Sequence, residues 1–380
     1  MNSRTWDMSK SILAILVLAL LVSNVLWTFS SQNVRGDDGT PRTVVVELFT
    51  ATWCVTCPYA DEAADMLLTD YGPERISVLQ YHVNYPLDPM ANTDSTNRGY
   101  AYDTNITGLP AAYFDGMEDV TGVGESNVNF FYDEYKDKID ARLGDRSPVS
   151  LSVSMSESSG NVTVTASFER AGSITASDPI YARYVLYENL LQHDSHVYNY
   201  VVRGVEGRSF DYNGLPYNEN VGFELQSGWD PTNMGVVVFV QIGNTGEVLQ
   251  SASSVLGPRP TVTLTTELDG KEISGVTKIE GTASQDVTVV EVRIDGQLYV
   301  AAQGTINWEF DINPSDLSGG SHTLSVRAYS DSLAYSDLVE AEFEVAEGSM
   351  IWIIIVVIIV VIVIILSMIV IKRRKKDQGE

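Results

Sequence analysis

The stretch TVVVELFTATWCVTCPYADEAADMLL, residues 43–68, holds both cysteines of the 380-residue chain, Cys54 and Cys57. The run VVVELF at 44–49 predicts a buried β-strand, and apolar residues at helical spacing in 58–71 predict a helix directly after the pair. Backbone N–H groups at the start of a helix stabilise a thiolate, the form of cysteine that attacks a disulfide. This placement favours Cys54 as a nucleophile and Cys57 as the thiol that resolves a mixed disulfide.

By itself a C-x-x-C pair leaves three interpretations open: a redox pair, a structural disulfide or part of a metal site. A zinc site needs further ligands, and the chain has no third cysteine. His193 and His196 form an H-x-x-H pair, but they lie in a later predicted domain and no spacing rule joins them to the cysteines. The sequence therefore predicts no metal and no cofactor. A structural bridge stays open, although a disulfide that closes so short a loop constrains little chain entropy.

The residues around the cysteine pair alternate between strand-like and helix-like patterns. Strand-like runs occupy 76–83 and 111–116, and a helical pattern covers 129–143. This alternation predicts an α/β unit with a central sheet over 40–146. The polar stretch 85–102 is longer than the unit needs, and it is predicted to be a loop that forms a lid or a substrate-facing surface.

Farther along, the pattern changes to short alternating runs separated by Gly, Asn, Ser and Asp. These runs predict a β-sandwich over 147–257 and a second, immunoglobulin-like sandwich over 259–346. The predicted fold class is a multidomain chain of α/β plus all-β type, with transmembrane helices at its termini.

The C-terminal apolar run, Ile351–Ile371, predicts one of these membrane helices. Its 21 residues would form a helix of about 31 Å, close to the thickness of a bilayer core. Five basic residues follow directly. By the positive-inside rule they predict a membrane helix over 350–371 and a cytoplasmic tail over 372–380.

The N-terminal apolar run, 11–29, follows Arg4 and Lys10, which places its start on the cytoplasmic side. Residues 1–35 are therefore predicted to be either a retained signal anchor or a cleaved signal peptide. In both cases the predicted localisation is the cell membrane, with an ectodomain of about 31–349 outside the cell.

Acidic residues outnumber basic ones by 50 to 24, for a formal net charge of −26. Nucleic acid and anionic lipid surfaces both require positive charge on a partner, so the composition argues against them as ligands of the ectodomain. We prefer the interpretation that the acidic residues serve solubility, or adaptation to salt or low pH, and carry no specific function.

Two motifs make 43–116 resemble the thioredoxin superfamily. Trp53 directly precedes the cysteine pair, and Gly108-Leu109-Pro110 precedes the run AAYFDG, as the proline loop of that family precedes a strand. The resemblance implies a cis peptide bond between Leu109 and Pro110, and it implies that Trp53, Leu109 and Pro110 contact a bound substrate. An ordinary trans proline at the start of a strand is the alternative.

Members of this family often bury a carboxylate beneath the pair, where it relays protons to the resolving thiol. Glu47 lies on the matching strand, but it is one residue farther from the first cysteine than is typical. A relay role for Glu47 therefore stays open, because it requires burial that raises the carboxyl pKa. His82 fits a core histidine better than a catalytic base.

Together with the β-rich residues that follow, the chain resembles secreted and outer-membrane thioredoxin-like proteins. The resemblance implies a membrane-anchored extracytoplasmic thiol–disulfide oxidoreductase that acts on the thiols or disulfides of exported proteins. Neither apolar run contains a cysteine, so a separate redox partner would have to recharge the pair. The alternative is a cell-surface binding or scaffold protein with a structural disulfide.

Overall fold

The computed structural model describes residues 39–346, apart from 85–86, 103–107, 175, 177, 195, 258 and 331–333. Strands predominate in this part of the chain, and the described residues contain three α-helices. The helices are α1 (Cys57–Tyr71), α2 (Thr93–Tyr102) and α3 (Val128–Leu143).

The first thirteen strands are distributed over three sheets. They are β1 (Val44–Thr50), β2 (Ile76–His82), β3 (Ala111–Phe114), β4 (Glu118–Thr121), β5 (Val149–Ser158), β6 (Asn161–Arg170), β7 (Ile180–Glu188), β8 (Leu191–His193), β9 (His196–Tyr198), β10 (Val201–Ser209), β11 (Tyr217–Glu224), β12 (Met234–Ile242) and β13 (Val248–Val255). Eight of them form one mixed sheet in the order β13-β12-β7-β10-β2-β1-β3-β4. Strands β8 and β9 form a separate hairpin.

The centre of the eight-stranded sheet is covered on both faces. Strands β1 and β2 run parallel, and every residue in them is buried. On one face, Phe114 of β3 packs against Tyr135 of α3, at 5.2 Å between ring centroids. On the other face, Phe49 of β1 packs against Tyr102 of α2, at 5.8 Å. Helix α1 lies on the α3 side, so the cysteine pair sits at the edge of a well-packed core.

Helix α1 begins and ends where the sequence predicts. Proline in its first turn lacks an N–H that would be unpaired there. The residues that α1 buries follow a helical spacing and include Ala60, Ala64 and Leu67. The helix ends before Gly72, whose φ of 88° suits glycine and whose N–H donates to the carbonyl of Leu68 at 2.9 Å.

A three-stranded sheet of β5, β6 and β11 packs over the far end of the eight-stranded sheet. Its inward residues Val164, Ala166 and Phe168 are fully buried with Val236 and Val238 of β12. The strands alternate buried and exposed residues, as expected for a sheet with one solvated face.

The last part of the described chain forms a separate pair of sheets. Its strands are β14 (Val262–Leu264), β15 (Lys271–Ile273), β16 (Thr277–Ala283), β17 (Val287–Ile294), β18 (Val300–Ala301), β19 (Gln303–Gly304), β20 (Asn307–Ile312), β21 (Gly320–Ser330) and β22 (Val339–Val345). One sheet has the order β14-β16-β20-β19 and the other β15-β22-β21-β17-β18. Trp308 and Phe343 lie in the core between them. This sandwich is the predicted immunoglobulin-like module.

The immunoglobulin-like module contacts the C-terminal end of α1. The guanidinium of Arg327 donates to the carbonyl of Thr69 and to Glu291 Oε2, the latter at 2.6 Å from Nη2. The hydroxyl of Tyr299 donates to Glu74 Oε1 at 2.9 Å. Arg327 is 1% exposed, so this contact is sealed from water.

The predicted fold class is wrong. The described residues are mostly β-sheet, and the predicted α/β unit is not a self-contained layer. The outer edge of β2 pairs with β10, where Val201 is the partner of Gln80, and the sheet continues into β7, β12 and β13. An exposed strand edge would leave backbone N–H and C=O groups unpaired, and the later strands cover it. The domain boundaries proposed above stay a prediction.

The predicted localisation, a membrane anchor with a cytoplasmic tail, is corrected too. Among the described residues no helix has the length and apolar character needed to cross a bilayer. The runs 11–29 and 351–371, on which the predicted terminal membrane helices depend, lie outside the described residues.

Candidate functional site

Cys54 and Cys57 form a disulfide at the N-terminus of α1. The N-cap residue Thr56 makes no side-chain capping bond. The N–H of Cys57, the first residue of the helix, donates instead to Cys54 Sγ at 3.2 Å. Cys57 is fully buried and Cys54 is 9% exposed, while Val55 between them is 84% exposed. The bridge therefore presents Cys54, not Cys57, to the surface.

The structure brings Trp53 and Leu109 to the disulfide, while contact of Trp53, Leu109 and Pro110 with a substrate stays a prediction. Leu109 packs directly against the two cysteines, and the side chain of Trp53 is 52% exposed beside them. Both line a small cavity of about 110 Å³. The peptide bond between Leu109 and Pro110 is cis, which confirms that prediction. The ring of Pro110 is buried, and its carbonyl accepts the N–H of Gly122 at 3.0 Å.

Glu47 is buried, but its hydrogen bonds do not suit a proton relay to the cysteines. Both of its carboxylate oxygens accept from Arg98, at 2.8 and 2.7 Å, and Oε2 also accepts from the hydroxyl of Tyr102. Burial alone would raise the pKa of Glu47, but the guanidinium of Arg98 holds it below its usual value. A carboxylate held in the ionised form by a cation is poorly suited to exchange protons with a thiol.

The loop before the disulfide is held by a buried carboxylate. Asp88 is 1% exposed and accepts from the N–H of Thr52 at 2.6 Å and from the N–H of Met90 at 2.8 Å. It also pairs with His82 Nδ1 at 3.0 Å. Burial would raise the pKa of Asp88, but the bonds from His82 and these amides lower it. His82 thus positions the loop, in agreement with its interpretation as a core histidine.

A groove of about 860 Å³ opens beside the disulfide. Its volume falls within the range of about 300–1,000 Å³ that is typical of ligand sites. The loop before α1, one flank of that helix and the β8–β9 hairpin form its walls. Its lining residues are Thr52, Trp53, Cys54, Val55, Pro58, Tyr59, Asp61, Glu62, Asp65, Met66, Thr69, Gln80, His196, Val197 and Tyr198.

The groove is both apolar and acidic. Trp53, Val55, Met66 and Val197 contribute apolar side chains that are 52%, 84%, 40% and 49% exposed. Along the flank of α1, the groove is lined by three carboxylates, and no Lys or Arg occurs among the described lining residues. The arrangement therefore offers apolar contact at its rim and negative charge along one wall.

Two of the carboxylates lie one helical turn apart and are incompletely hydrogen-bonded. Asp61 Oδ2 accepts from Thr50 Oγ1 at 3.2 Å, and Asp65 Oδ2 accepts from Asn199 Nδ2 at 2.8 Å. The Oδ1 atom of each is buried without a partner. Burial raises the pKa of Asp61 well above its usual value and that of Asp65 to about 7.

The sequence did not reveal the acidic wall of the groove, which consists of Asp61, Glu62 and Asp65, or the β8–β9 hairpin that also lines the groove. Asp61 and Asp65 interrupt the apolar positions of the α1 pattern, and a carboxylate among buried helix positions is a usable signal. The position of the hairpin beside α1 depends on the long-range pairing of β10 with β2, and local sequence patterns do not predict that pairing. His196 also lines the groove, although the H-x-x-H spacing by itself predicts no site for it.

Comparison with known proteins identifies one family in part of the chain. Residues 260–326 match the model of a bacterial Ig domain. No curated protein matches the chain. Among solved structures, HBP35 of Porphyromonas gingivalis is similar at 16% identity with a TM-score of 0.46, covering 81% of this chain and 98% of its own. The fibronectin(III)-like modules of Clostridium thermocellum CbhA are similar at 25% identity with a TM-score of 0.20, covering 23% of this chain and 98% of their own.

The family match confirms the immunoglobulin-like module, and the strands of the described residues show a β-rich protein. The family match indicates no thioredoxin-like protein, redox centre or oxidoreductase. The classification of the chain as thioredoxin-like and transmembrane is corrected to a β-rich protein with a bacterial Ig domain at 260–326, and the family match does not support a redox function.

Proposed function

We propose that this chain is a binding protein whose groove beside the Cys54–Cys57 disulfide accepts an extended segment of another polypeptide. The groove itself supports the proposal, because four exposed apolar side chains surround a cleft large enough for a peptide backbone with its side chains. In this proposal the disulfide holds the loop before α1 against the helix, and the immunoglobulin-like module serves as a scaffold at the other end of α1.

Nucleic acid is not the proposed ligand. The lining of the groove includes three carboxylates, the chain carries a net charge of −26, and binding of a phosphate backbone depends on Lys and Arg. A polypeptide has no such requirement, so the composition favours it as partner.

The proposal is tested with a peptide array and two matched variants of the full-length chain. Val197 and Val276 are both exposed valines, but only Val197 lines the groove, whereas Val276 lies in the immunoglobulin-like module. We expect Val197→Asp to remove most of the peptide binding and Val276→Asp to leave it unchanged. Equal binding by wild type and Val197→Asp would contradict a role for the groove.

A second candidate function is thiol–disulfide exchange, and the hydrogen bond from the Cys57 N–H to Cys54 Sγ favours it. A thiolate on a client protein would attack Cys54 Sγ, the Cys54–Cys57 bond would break, and Cys57 would leave with the electron pair. A second client thiolate would then release the client as a disulfide, leaving both cysteines reduced. A separate oxidised partner would have to accept those two electrons.

Trapping separates the two functions. In a Cys57→Ser variant the exchange is run in reverse: the Cys54 thiolate would attack a peptide disulfide, one peptide sulfur would leave as a thiolate, and the mixed disulfide would persist because no Cys57 thiol can resolve it. Mass spectrometry after incubation with a disulfide-containing peptide detects this mixed disulfide. Cys54→Ser is the control, since Cys57 is fully buried. If the peptide bound but formed no mixed disulfide, the exchange function would be excluded and only the binding function would remain.

A further inference from the structure

We infer that the acidic wall of the groove is a subsite for a basic side chain, Lys or Arg, of the bound polypeptide. The inference rests on the proposed binding function and specifies its ligand. It commits the groove to one class of partner, an apolar segment that carries a positive charge.

The first observation is a pair of carboxylates without a cation. Asp61 is 8% exposed, and both Asp61 and Asp65 have one buried oxygen that accepts no hydrogen bond. Buried acidic groups in proteins are normally paired, because desolvation disfavours an isolated charge. An ammonium or guanidinium group that enters the groove would supply the partner that the described chain does not.

The second observation is the floor of the groove. Gln80 of β2 is 1% exposed, yet neither its side-chain oxygen nor its side-chain nitrogen has a hydrogen-bond partner. A buried amide left unpaired is unfavourable, and native proteins rarely keep one without a reason. Because Gln80 lines the same cleft as Asp61 and Asp65, its oxygen can accept from a basic group and its nitrogen can donate to a peptide carbonyl.

The third observation is the arrangement of apolar and acidic residues. Trp53 and Val55 flank Cys54 in the chain, whereas Met66 follows Asp65 on α1. Val197 lies on β9, two residues before Asn199, the hydrogen-bond partner of Asp65. A basic side chain has an apolar stem and a charged head. The stem would pack on the apolar rim, and the head would reach the carboxylates.

The surroundings of the pair give the subsite a pH dependence. The titratable groups near it are acidic or aromatic apart from two histidines: Glu62, Asp88 with its partner His82, Tyr135, His196, Tyr198 and Tyr200. Burial raises the pKa of Asp65 to about 7, so in the free protein this carboxyl gains a proton under mildly acidic conditions. Binding of a basic side chain should therefore weaken as the pH falls.

The probes are three labelled peptides that differ only in a central lysine, glutamine or glutamate between flanking leucines and valines. Fluorescence anisotropy with the full-length chain at pH 8 should give the order lysine, glutamine, glutamate, with about a tenfold preference for lysine over glutamine, the effect of one charge-assisted contact. At pH 5.5 the preference should shrink.

The variant is Asp61→Asn with Asp65→Asn, which keeps the side-chain shapes and the acceptors for Thr50 and Asn199. It should lose the preference for lysine while still binding the glutamine peptide, which also shows that it folds. Asp133→Asn on the exposed face of α3 is the matched control and should keep the preference.

The outcomes separate this inference from the proposed function. A lysine preference that persists in the double variant, or that is missing in the wild type while Val197→Asp still abolishes binding, would overturn the subsite and leave the binding function standing. Failure of all three peptides to bind the wild type would overturn both.

Discussion

The backbone N–H of Cys57 points at the sulfur of Cys54, at 3.2 Å, from the first residue of α1. The same helix therefore seals one sulfur of the disulfide inside the protein and directs its N-terminal dipole at the other. Partial positive charge at a helix N-terminus stabilises a negatively charged group there. The two cysteines are thus unequal, and their different exposure leads to a direct chemical test.

After reduction of the disulfide, we expect iodoacetamide to modify Cys54 well before Cys57. Cys54 borders the groove and is 9% exposed, whereas Cys57 has no exposed surface. Reaction requires access of the reagent to the sulfur, and only Cys54 is accessible. Mass spectrometry of the tryptic peptide at several times measures the order. Equal labelling of the two cysteines in the folded protein would contradict the difference in burial.

The substitution Asp65→Asn should stabilise the protein at pH 8 and have little effect near pH 4. The pKa of Asp65 is raised to about 7 in the folded protein, so between pH 4 and 7 the folded state holds a proton that the unfolded chain has lost. The free energy of unfolding therefore falls as the pH rises through this window. We expect a gain of about 1–2 kcal/mol at pH 8, reduced by the partial exposure of Asp65.

Urea unfolding at both pH values checks this prediction, and Asp133→Asn on the exposed face of α3 is the control. The test is whether the gain in the free energy of unfolding differs between pH 4 and pH 8. A gain of the same size at pH 4 and pH 8 would mean that the carboxyl group is not the cause.

In contrast to Asp65, whose charge destabilises the folded protein, the carboxylate of Glu47 is stabilised by its buried partner Arg98. Removing the cation with Arg98→Ala leaves a buried carboxylate without compensation, which should cost about 3–5 kcal/mol. Adding Glu47→Gln to that variant should recover part of the loss, because the remaining side chain is neutral. Chemical denaturation of the wild type, the single and the double variant gives the three values, and a double variant less stable than Arg98→Ala would argue against the pair.

The pH dependence of this pair follows from the lowered pKa of Glu47, whose carboxylate Arg98 stabilises. A carboxyl group whose pKa is lower in the folded state contributes stability above its unfolded pKa, and this contribution disappears as the pH falls through the folded value. We therefore expect the difference between wild type and Arg98→Ala to shrink in acid, as Glu47 takes up a proton.

Local patterns predicted the elements around the cysteines well. Residues 44–49 and 58–71 were expected as a strand and a helix, and the structure has them as β1 over Val44–Thr50 and α1 over Cys57–Tyr71. Such elements depend on periodicity and end signals that lie within a few residues of each other.

Long-range pairing limited the prediction. The predicted loop at 85–102 contains α2, and its polar sequence gave no sign that Arg98 and Tyr102 of this helix bind Glu47 of β1. Likewise, nothing near β2 in the sequence indicates that β10 pairs with it, although this pairing joins the two predicted units into one sheet. The groove depends on that pairing, and so its acidic wall was found only in the structure.

The close packing of Gly281 against Trp308 yields a test of the immunoglobulin-like module. The two residues are cross-strand partners on β16 and β20, and Trp308 is 2% exposed. A Cβ atom at position 281 would collide with the indole ring and with the carbonyl oxygen of Thr263 on β14. Neither the backbone of Thr263 nor the buried indole of Trp308 can easily move away from this Cβ atom. Gly281→Ala should therefore lower the free energy of unfolding by about 1–3 kcal/mol.

The matched control is Gly275→Ala in the same module, where an added Cβ meets nothing within 4 Å. It should change the free energy of unfolding by no more than about 0.5 kcal/mol. Urea unfolding of the full-length chain, followed by Trp fluorescence and by circular dichroism, compares the two variants with the wild type. If Gly281→Ala were as stable as Gly275→Ala, the indole of Trp308 could not lie over position 281, and the packing of the two sheets of this module would have to differ from the one described.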